Sequence, residues 1–198
     1  AAVAFLGTGW FIDKVGLRLG FAIGVGVWSL AGMAHAFAST VTGFMASRAV
    51  LGAAESIGTP AAVKTAATYF DAKERSIVIG LGGIAPNVGA ILTPLLIPLM
   101  AAMWGWQATF LIAGGLGLVW VAVWLAVKIP EQPNAAADAA APPIPWASLL
   151  RDRRQWAIIV GKALTDQVWW FLLFFTPDLF HRVFGLSQGQ LGFPVAFV

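Results

Sequence analysis

The sequence predicts an all-α integral membrane protein, and three observations carry that prediction. Of its 198 residues 59% are hydrophobic and only 11% are charged, against about 25% charged in an ordinary soluble domain. The mean hydropathy is +0.81. The apolar residues also gather in runs of about 20 or more, long enough as helices to cross roughly 30 Å of hydrocarbon. In lipid the backbone must satisfy its own hydrogen bonds, and these runs lack the alternation of a barrel strand, so helices are the remaining solution.

The apolar runs define six spans. One ends near residue 12, and the others cover about 19–38, 41–70, 77–103, 108–127 and 156–180. Connections are short except one. Residues 129–145 hold Pro130, Pro133, Pro142, Pro143 and Pro145 around an Ala-rich centre, a polar linker that does not sustain a helix throughout. The chain begins and ends inside apolar runs with no basic leader, so both ends are expected to be truncated within a longer protein.

Charge placement sets the orientation. The net charge is +3, but the basic residues lie in short segments between spans, which points to membrane topology and not to nucleic acid. Lys14, Arg18, Lys73, Arg75, Lys128, Arg151, Arg153 and Arg154 fall on one side and only Arg182 on the other. The first side is expected to be cytoplasmic, leaving 38–41, 104–107 and 181–187 outside, with Trp10, Trp104 and Trp106 at span ends. There are no cysteines and only two histidines, far apart, so no thiolate metal site, disulfide framework or nucleophile constellation can be assembled and no enzyme is expected.

Small residues are dense within spans: Gly20, Gly24, Gly26 and Gly32 in one, Gly80, Gly82, Gly83 and Gly89 in another. Each lets helix backbones approach closely, and together they favour a bundle that moves. Pro60 is expected to interrupt the span 41–70, and Pro86, Pro94 and Pro98 the span 77–103.

Arg48 and Glu55 are the informative charges. They are seven positions apart in one span, two helical turns, so they share a face at about 10 Å separation with Gly52 leaving space between. A charge inside a membrane span costs a few kcal/mol or more and marks a pathway when it faces a cavity. One reading is an ion pair to another helix. The other is functional: Arg48 anchors an anion, and Glu55 gains and loses a proton in a low-dielectric setting. Two further features also admit two readings. His35 is a packed helix residue or a proton relay, and Lys162 with Asp166 form an i,i+4 pair or a gate.

At the turn Gly9-Trp10-Phe11-Ile12-Asp13-Lys14-Val15-Gly16-Leu17-Arg18 the chain resembles the major facilitator superfamily, whose loop between helices two and three carries this signature. Gly9, Asp13, Lys14, Gly16 and Arg18 match, and Leu17 departs at a position that is often basic. The resemblance implies a cytoplasmic gate latch, with Asp13 near a helix N-terminus. In that register the chain covers helices two to seven of twelve. Residues 1–128 are then part of the first six-helix half, 129–155 the central cytoplasmic loop, and 156–198 the start of the second half.

Further stretches narrow the resemblance to the anion:cation symporter branch, which includes hexuronate, aldonate and aldarate permeases. They are the Arg48–Lys64 segment, Tyr69-Phe70-Asp71-Ala72-Lys73-Glu74-Arg75-Ser76, Trp104-Gly105-Trp106-Gln107 and Leu164-Thr165-Asp166-Gln167-Val168-Trp169-Trp170-Phe171. Gln167 stands where proline is common, and Phe175-Thr176 replaces the usual Trp-Leu. The branch implies a proton-coupled importer of an organic anion, a sugar acid, working by alternating access in a bacterial inner membrane. It implies no cofactor beyond the coupling proton, and a monomer as the working unit. Arg48 takes the anion-coordinating role and Glu55 the proton-coupling role. Asn87, beside Pro86, is a hydrogen-bonding candidate for a sugar-acid hydroxyl, and Trp169 and Trp170 wall the cavity or face lipid. Ala85-Pro86-Asn87-Val88-Gly89-Ala90 loosely resembles the antiporter signature of helix five, which makes a proton-driven efflux antiporter the alternative; both outer glycines of that signature are alanine here.

Overall fold

The computed structural model describes residues 2–128, 146–187 and 190–191. Among them every regular element is helical. The elements are α1 (Ala2–Val15), α2 (Leu17–Ala34) running into a 3-10 turn (His35–Phe37), α3 (Val41–Glu55), α4 (Gly58–Tyr69), α5 (Arg75–Ala126), α6 (Trp146–Arg151) and α7 (Arg153–Phe184). The stretches Leu17–Phe37, Arg75–Ala126 and Arg153–Phe184 are each long and apolar enough to cross a membrane. Many large apolar side chains on α5 and α7 are exposed, among them Leu81, Leu99, Val119, Phe171 and Phe174. Hydrocarbon accepts such a surface at no cost, whereas water would not. The proposed linker 129–145 lies outside the described residues.

Two compact units divide the chain. One comprises residues 1–87 and 99–134, the other residues 88–98 and 135–198. In the first, α2 is the central element and packs against α1, α3 and α4. Ile12, Leu17, Ile57 and Ala61 form its buried centre, with Phe11, Phe21, Trp28 and Tyr69 packed around them. Glycine makes the contact possible. A Cβ added at Gly24 would sit 2.2 Å from Ile57 Cγ2, and one at Gly114 would sit 2.3 Å from Met33 Cγ, so each glycine admits a facing side chain where a Cβ would clash. In the second unit Asp152 caps α7 by accepting the Arg154 N–H at 2.8 Å. The Trp156 indole N–H reaches the Leu150 carbonyl at 2.8 Å, tying α6 to the first turn of α7. The helix then runs through Pro177 and stops at Gly185, whose φ of 64° suits glycine.

Several boundaries differ from the sequence reading. The span 41–70 is two helices, α3 and α4, which meet at Ser56–Ile57 with the backbone still in the helical region. Pro60 cannot donate to the Ser56 carbonyl, so that turn of helix loses its bond. The Ile57 N–H bonds to Ala54 O at 3.2 Å and the Ser56 hydroxyl to Ala53 O at 2.6 Å instead. Pro86, Pro94 and Pro98 do not interrupt their span, since α5 passes through all three with helical backbone and departs from it only at Gly105. Proline's fixed φ suits a helix, and only single carbonyls lose their partners. The 52 residues of α5 would extend about 78 Å if straight, more than twice the hydrocarbon thickness. The φ of 83° at Gly105 therefore separates two crossings, residues 75–104 and 106–126. The outer turn expected over 104–107 shrinks to that one glycine.

The Gly24–Ile57 contact gives a direct test. Gly24→Ala should destabilise the full-length protein by about 1–3 kcal/mol through overpacking. Ile57→Ala should be costly alone, yet the double variant should lose clearly less than the two singles together, read by thermal unfolding in detergent.

Candidate functional site

α3 begins at Thr40, whose hydroxyl accepts the Gly43 N–H at 3.1 Å, a standard N-terminal cap. From there Phe44, Arg48, Leu51 and Glu55 recur at helical spacing and form one stripe. Its members Phe44, Leu51 and Glu55 look toward α2, the 3-10 turn that follows it and the 106–126 arm of α5. Phe44 meets Trp106 at 5.8 Å and the His35 ring at 5.7 Å. Further along, Leu51 and Glu55 line a cavity of about 390 Å³ together with Trp28, Ser29 and Gly32 of α2 and Phe110, Ala113 and Gly114 of α5. Glu55 is the last residue of α3 and lies on the cavity wall.

The ion pairs among the described residues are Asp13–Lys64, Lys162–Asp166 and Asp178–Arg182. Neither Arg48 nor Glu55 enters one, and both are exposed. The structural ion-pair reading is therefore not realised among these residues, and the two charges remain on one face two turns apart. Ser29 adds an unexpected feature. It is 2% exposed, and its hydroxyl is the one buried side-chain polar atom among the described residues without a hydrogen-bond partner. Such a group costs about 1–3 kcal/mol unless something enters to bond it.

The remaining residues singled out by sequence divide clearly. His35 is a packing residue: it is buried, its Nδ1–H donates to Ala31 O at 2.8 Å, and its ring stacks on Phe110 at 5.2 Å. Lys162 and Asp166 form the simple i,i+4 pair at 2.8 Å. Asn87 is exposed on α5 and already donates to Gly83 O at 2.7 Å, which leaves one amide hydrogen and the carbonyl oxygen for a ligand. Trp169 and Trp170 lie on exposed faces of α7 in the second unit, Trp170 stacked on Phe174 at 5.7 Å.

The Gly9–Arg18 signature is not a loop. Gly9, Asp13 and Lys14 belong to α1, and Gly16 alone makes the corner with φ 89° and ψ 148°, a conformation that glycine adopts without strain. Asp13 sits in the last turn of α1, away from that helix's N-terminus, and pairs with Lys64 of α4. Lys14 lies over the Trp10 ring at 5.0 Å. Arg18 reaches across the unit: its Nη2 donates to Leu125 O at 2.6 Å and Val127 O at 3.0 Å, and the Trp124 indole N–H returns to Arg18 O at 3.0 Å. Arg75 does the same for α4, donating to Phe70 O and Ala67 O at 3.0 and 2.7 Å. A cation on the carbonyl end of a helix satisfies orphan acceptors and complements the helix dipole. Lys64 and Ser29 escaped the sequence reading. Lys64, a lone cation inside an apolar span, gave a usable signal; Ser29 gave none. No group of three His, Asp or Glu side chains among the described residues could hold a metal ion.

Long apolar helices and glycine-mediated packing define an all-α integral membrane chain. All of it, residues 1–198, matches the Major Facilitator Superfamily, and the chain belongs to that family of membrane transporters, which are not enzymes. It is 28% identical over 201 residues to the hexuronate transporter of Escherichia coli (strain K12), with 93% of this chain and 46% of the relative covered. Against the galacturonate transporter of Dickeya chrysanthemi it is 27% identical over 202 residues, covering 93% and 58%. Against the D-galactonate transporter of Escherichia coli O6:H1 it is 33% identical over 125 residues, covering 63% and 29%. The chain spans about half the length of the first two.

Arg18 and Trp124 should hold the end of α5 in place. Arg18→Gln is expected to cost the full-length protein about 1–2 kcal/mol of stability and Trp124→Phe less, with strong non-additivity in the double variant. Thermal unfolding measures all three.

Proposed function

We propose that the whole protein imports an organic anion, a sugar acid of the hexuronate or aldonate kind, coupled to protons, across a bacterial inner membrane. The observation that carries the reading is the stripe on α3: Arg48 and Glu55 face the same way, neither has an ion-pair partner among the described residues, and Glu55 lines a cavity. The names of the relatives support the substrate class. Residues 1–128 then form helices two to six of the first half, 129–155 the central cytoplasmic loop and 156–198 the start of the second half. The halves rock about a midplane site, and no partner beyond substrate and lipid is required.

Arg48 is a permanent cation with a planar fork, suited to a carboxylate through two hydrogen bonds. A substrate carboxylate held there lies on the order of 10 Å from Glu55. At an effective dielectric of about 20 their repulsion is about 1.5 kcal/mol, or roughly tenfold in affinity. A proton on Glu55 removes that repulsion, and by reciprocity the bound anion favours the proton. The pair thus enters together from outside and leaves together inside. Asn87, Trp169 and Trp170 complete the site as hydroxyl-binding and wall residues, and the Asp13–Lys64 pair with Gly9, Lys14, Gly16 and Arg18 sets the cytoplasmic gate.

Galacturonate, glucuronate and galactonate are the probes for full-length protein in proteoliposomes. Glu55→Gln, which imitates the protonated carrier, should keep counterflow of the transported acid yet fail to accumulate it under a proton gradient. Arg48→Lys should raise KM at least tenfold in both modes. Accumulation by Glu55→Gln would remove Glu55 from coupling. Transport of none of the three acids by the wild type would overturn the sugar-acid reading, and outward movement under an inward proton gradient would favour the antiporter.

The gate has its own test. Asp13→Asn and Lys64→Gln should each slow cycling severalfold while leaving KM within a few-fold. The exchanged pair Asp13→Lys with Lys64→Asp should recover part of the rate, because the attraction survives the swap. Wild-type rates in both single variants would reduce the ion pair to a helix tie.

A further inference from the structure

Of the ionisable groups on α7, only Lys162 and Asp166 lie deep within the span. The helix runs from Arg153 to Phe184 and is long and apolar enough to cross a membrane. At 1.5 Å per residue Asp166 stands about 4 Å from the middle of the helix and Lys162 about 10 Å, both inside the roughly 15 Å half-thickness of hydrocarbon. Arg153, Arg154, His181 and Arg182 lie about 19–23 Å from that point, at the membrane surfaces. Asp178 lies about 14 Å from it, at the border, where it pairs with Arg182. Lys162 does not snorkel back toward the basic end of α7. Its ammonium reaches forward instead, to Asp166 Oδ1 at 2.8 Å.

An ion pair at this depth is costly against lipid tails, so the face of α7 that carries it belongs to a water-filled path or to the bundle interior. That face holds Lys162, Thr165, Asp166 and Trp169 at helical spacing, while Leu164, Phe171 and Phe175 take the opposite side. The pair still has bonding capacity. Lys162 keeps two ammonium hydrogens and Asp166 its second oxygen, and their side chains are 73% and 42% exposed. Trp169 is exposed and has neither a hydrogen bond nor a ring contact among the described residues. The Thr165 hydroxyl, by contrast, turns back to Gly161 O at 3.0 Å.

Because the two charges cancel, the pair exerts little net pull on a carboxylate. It offers adjacent donors and acceptors for uncharged hydroxyls, with an aromatic face one turn further on. A pyranose ring fits that combination. Its C–H face can lie on an indole while the hydroxyls on its edge donate to a carboxylate and accept from an ammonium. An open-chain acid has the hydroxyls but no ring face.

We propose that Lys162, Asp166 and Trp169 form a sugar-ring subsite on α7, with Trp169 under the ring and the ion pair at its hydroxyls. The subsite makes the whole protein prefer cyclic hexuronates to open-chain aldonates. The pair stays closed throughout, so no lone charge is uncovered in the span when the ring leaves. This rests on the sugar-acid reading above, and the experiment separates the two.

Full-length protein in proteoliposomes is given galacturonate or galactonate, and wild type should take galacturonate with the higher kcat/KM. Trp169→Leu should raise KM for galacturonate at least fivefold and that for galactonate less than twofold, with Trp169→Phe in between. Lys162→Gln with Asp166→Asn keeps the span neutral and should raise both KM values at least fivefold. The exchange Lys162→Asp with Asp166→Lys restores an ion pair but not the positions of donor and acceptor, so KM should stay raised. Single cysteines at Thr165 and Leu164, in protein with no other cysteine, report which face is wet. Thr165→Cys should react with a water-soluble thiosulfonate and be protected by galacturonate, and Leu164→Cys should not react. Trp169→Leu unchanged or equally impaired for both acids, wild-type KM in the neutral pair, recovery by the exchanged pair, or equal thiol reactivity on the two faces would each overturn the subsite. All four leave sugar-acid transport in place. Transport of neither acid by wild type would instead remove the reading on which the subsite rests, and the subsite with it.

Discussion

Hydrocarbon offers no partner for a peptide group, so wherever a helix starts, stops or turns in a membrane the protein must supply the missing hydrogen bonds itself. Most of the specific contacts in this chain answer that requirement. Arg18 takes the last carbonyls of α5 and Arg75 those of α4. Thr40 and Asp152 accept the first amides of α3 and α7. Where no side chain is placed to help, the break is confined to one residue, glycine at 16 and at 105. Two of the basic residues between spans, Arg18 and Arg75, are therefore also helix caps.

Close approach is the second demand, and it shapes the site. Helices in lipid gain nothing from hiding apolar surface from one another, so contact must come from tight packing. Gly24 admits Ile57, and Gly114 and Gly117 admit Met33 and Ser29. Bringing α2 against α5 at bare backbone leaves space beside the contact, where Phe110 and Ala113 face Leu51 and Glu55 across the cavity. Near this region α3 ends at Glu55, and two residues on the Ile57 side chain fills the notch at Gly24.

The charges show how much composition can say and where it stops. A span with both an arginine and a glutamate seven residues apart announces a polar stripe from sequence alone, since helical geometry is local. Asp13 was equally visible, but its partner was not. Lys64 lies 51 positions away and Arg18 lies 107 positions from the carbonyl that it bonds. Proline misled in one place and informed in another. Pro86, Pro94 and Pro98 sit in a helix that passes through them, whereas Pro60, four residues after Ser56, coincides with the boundary between α3 and α4.

Sequence by itself determined the all-α membrane class of this protein and the shared face of Arg48 and Glu55. Each depends on composition or on a period of a few residues, and both are written into the chain locally. Tertiary structure alone decided that Lys64 holds Asp13, that Arg18 closes the end of α5, that His35 is packed and not poised, and that an unbonded Ser29 shares a cavity with Glu55. Those depend on which helix faces lie together at which depth, and that is set by a handful of glycine contacts between residues far apart in the chain. No local pattern encodes them, because a glycine that meets a neighbour and one that faces lipid are the same letter.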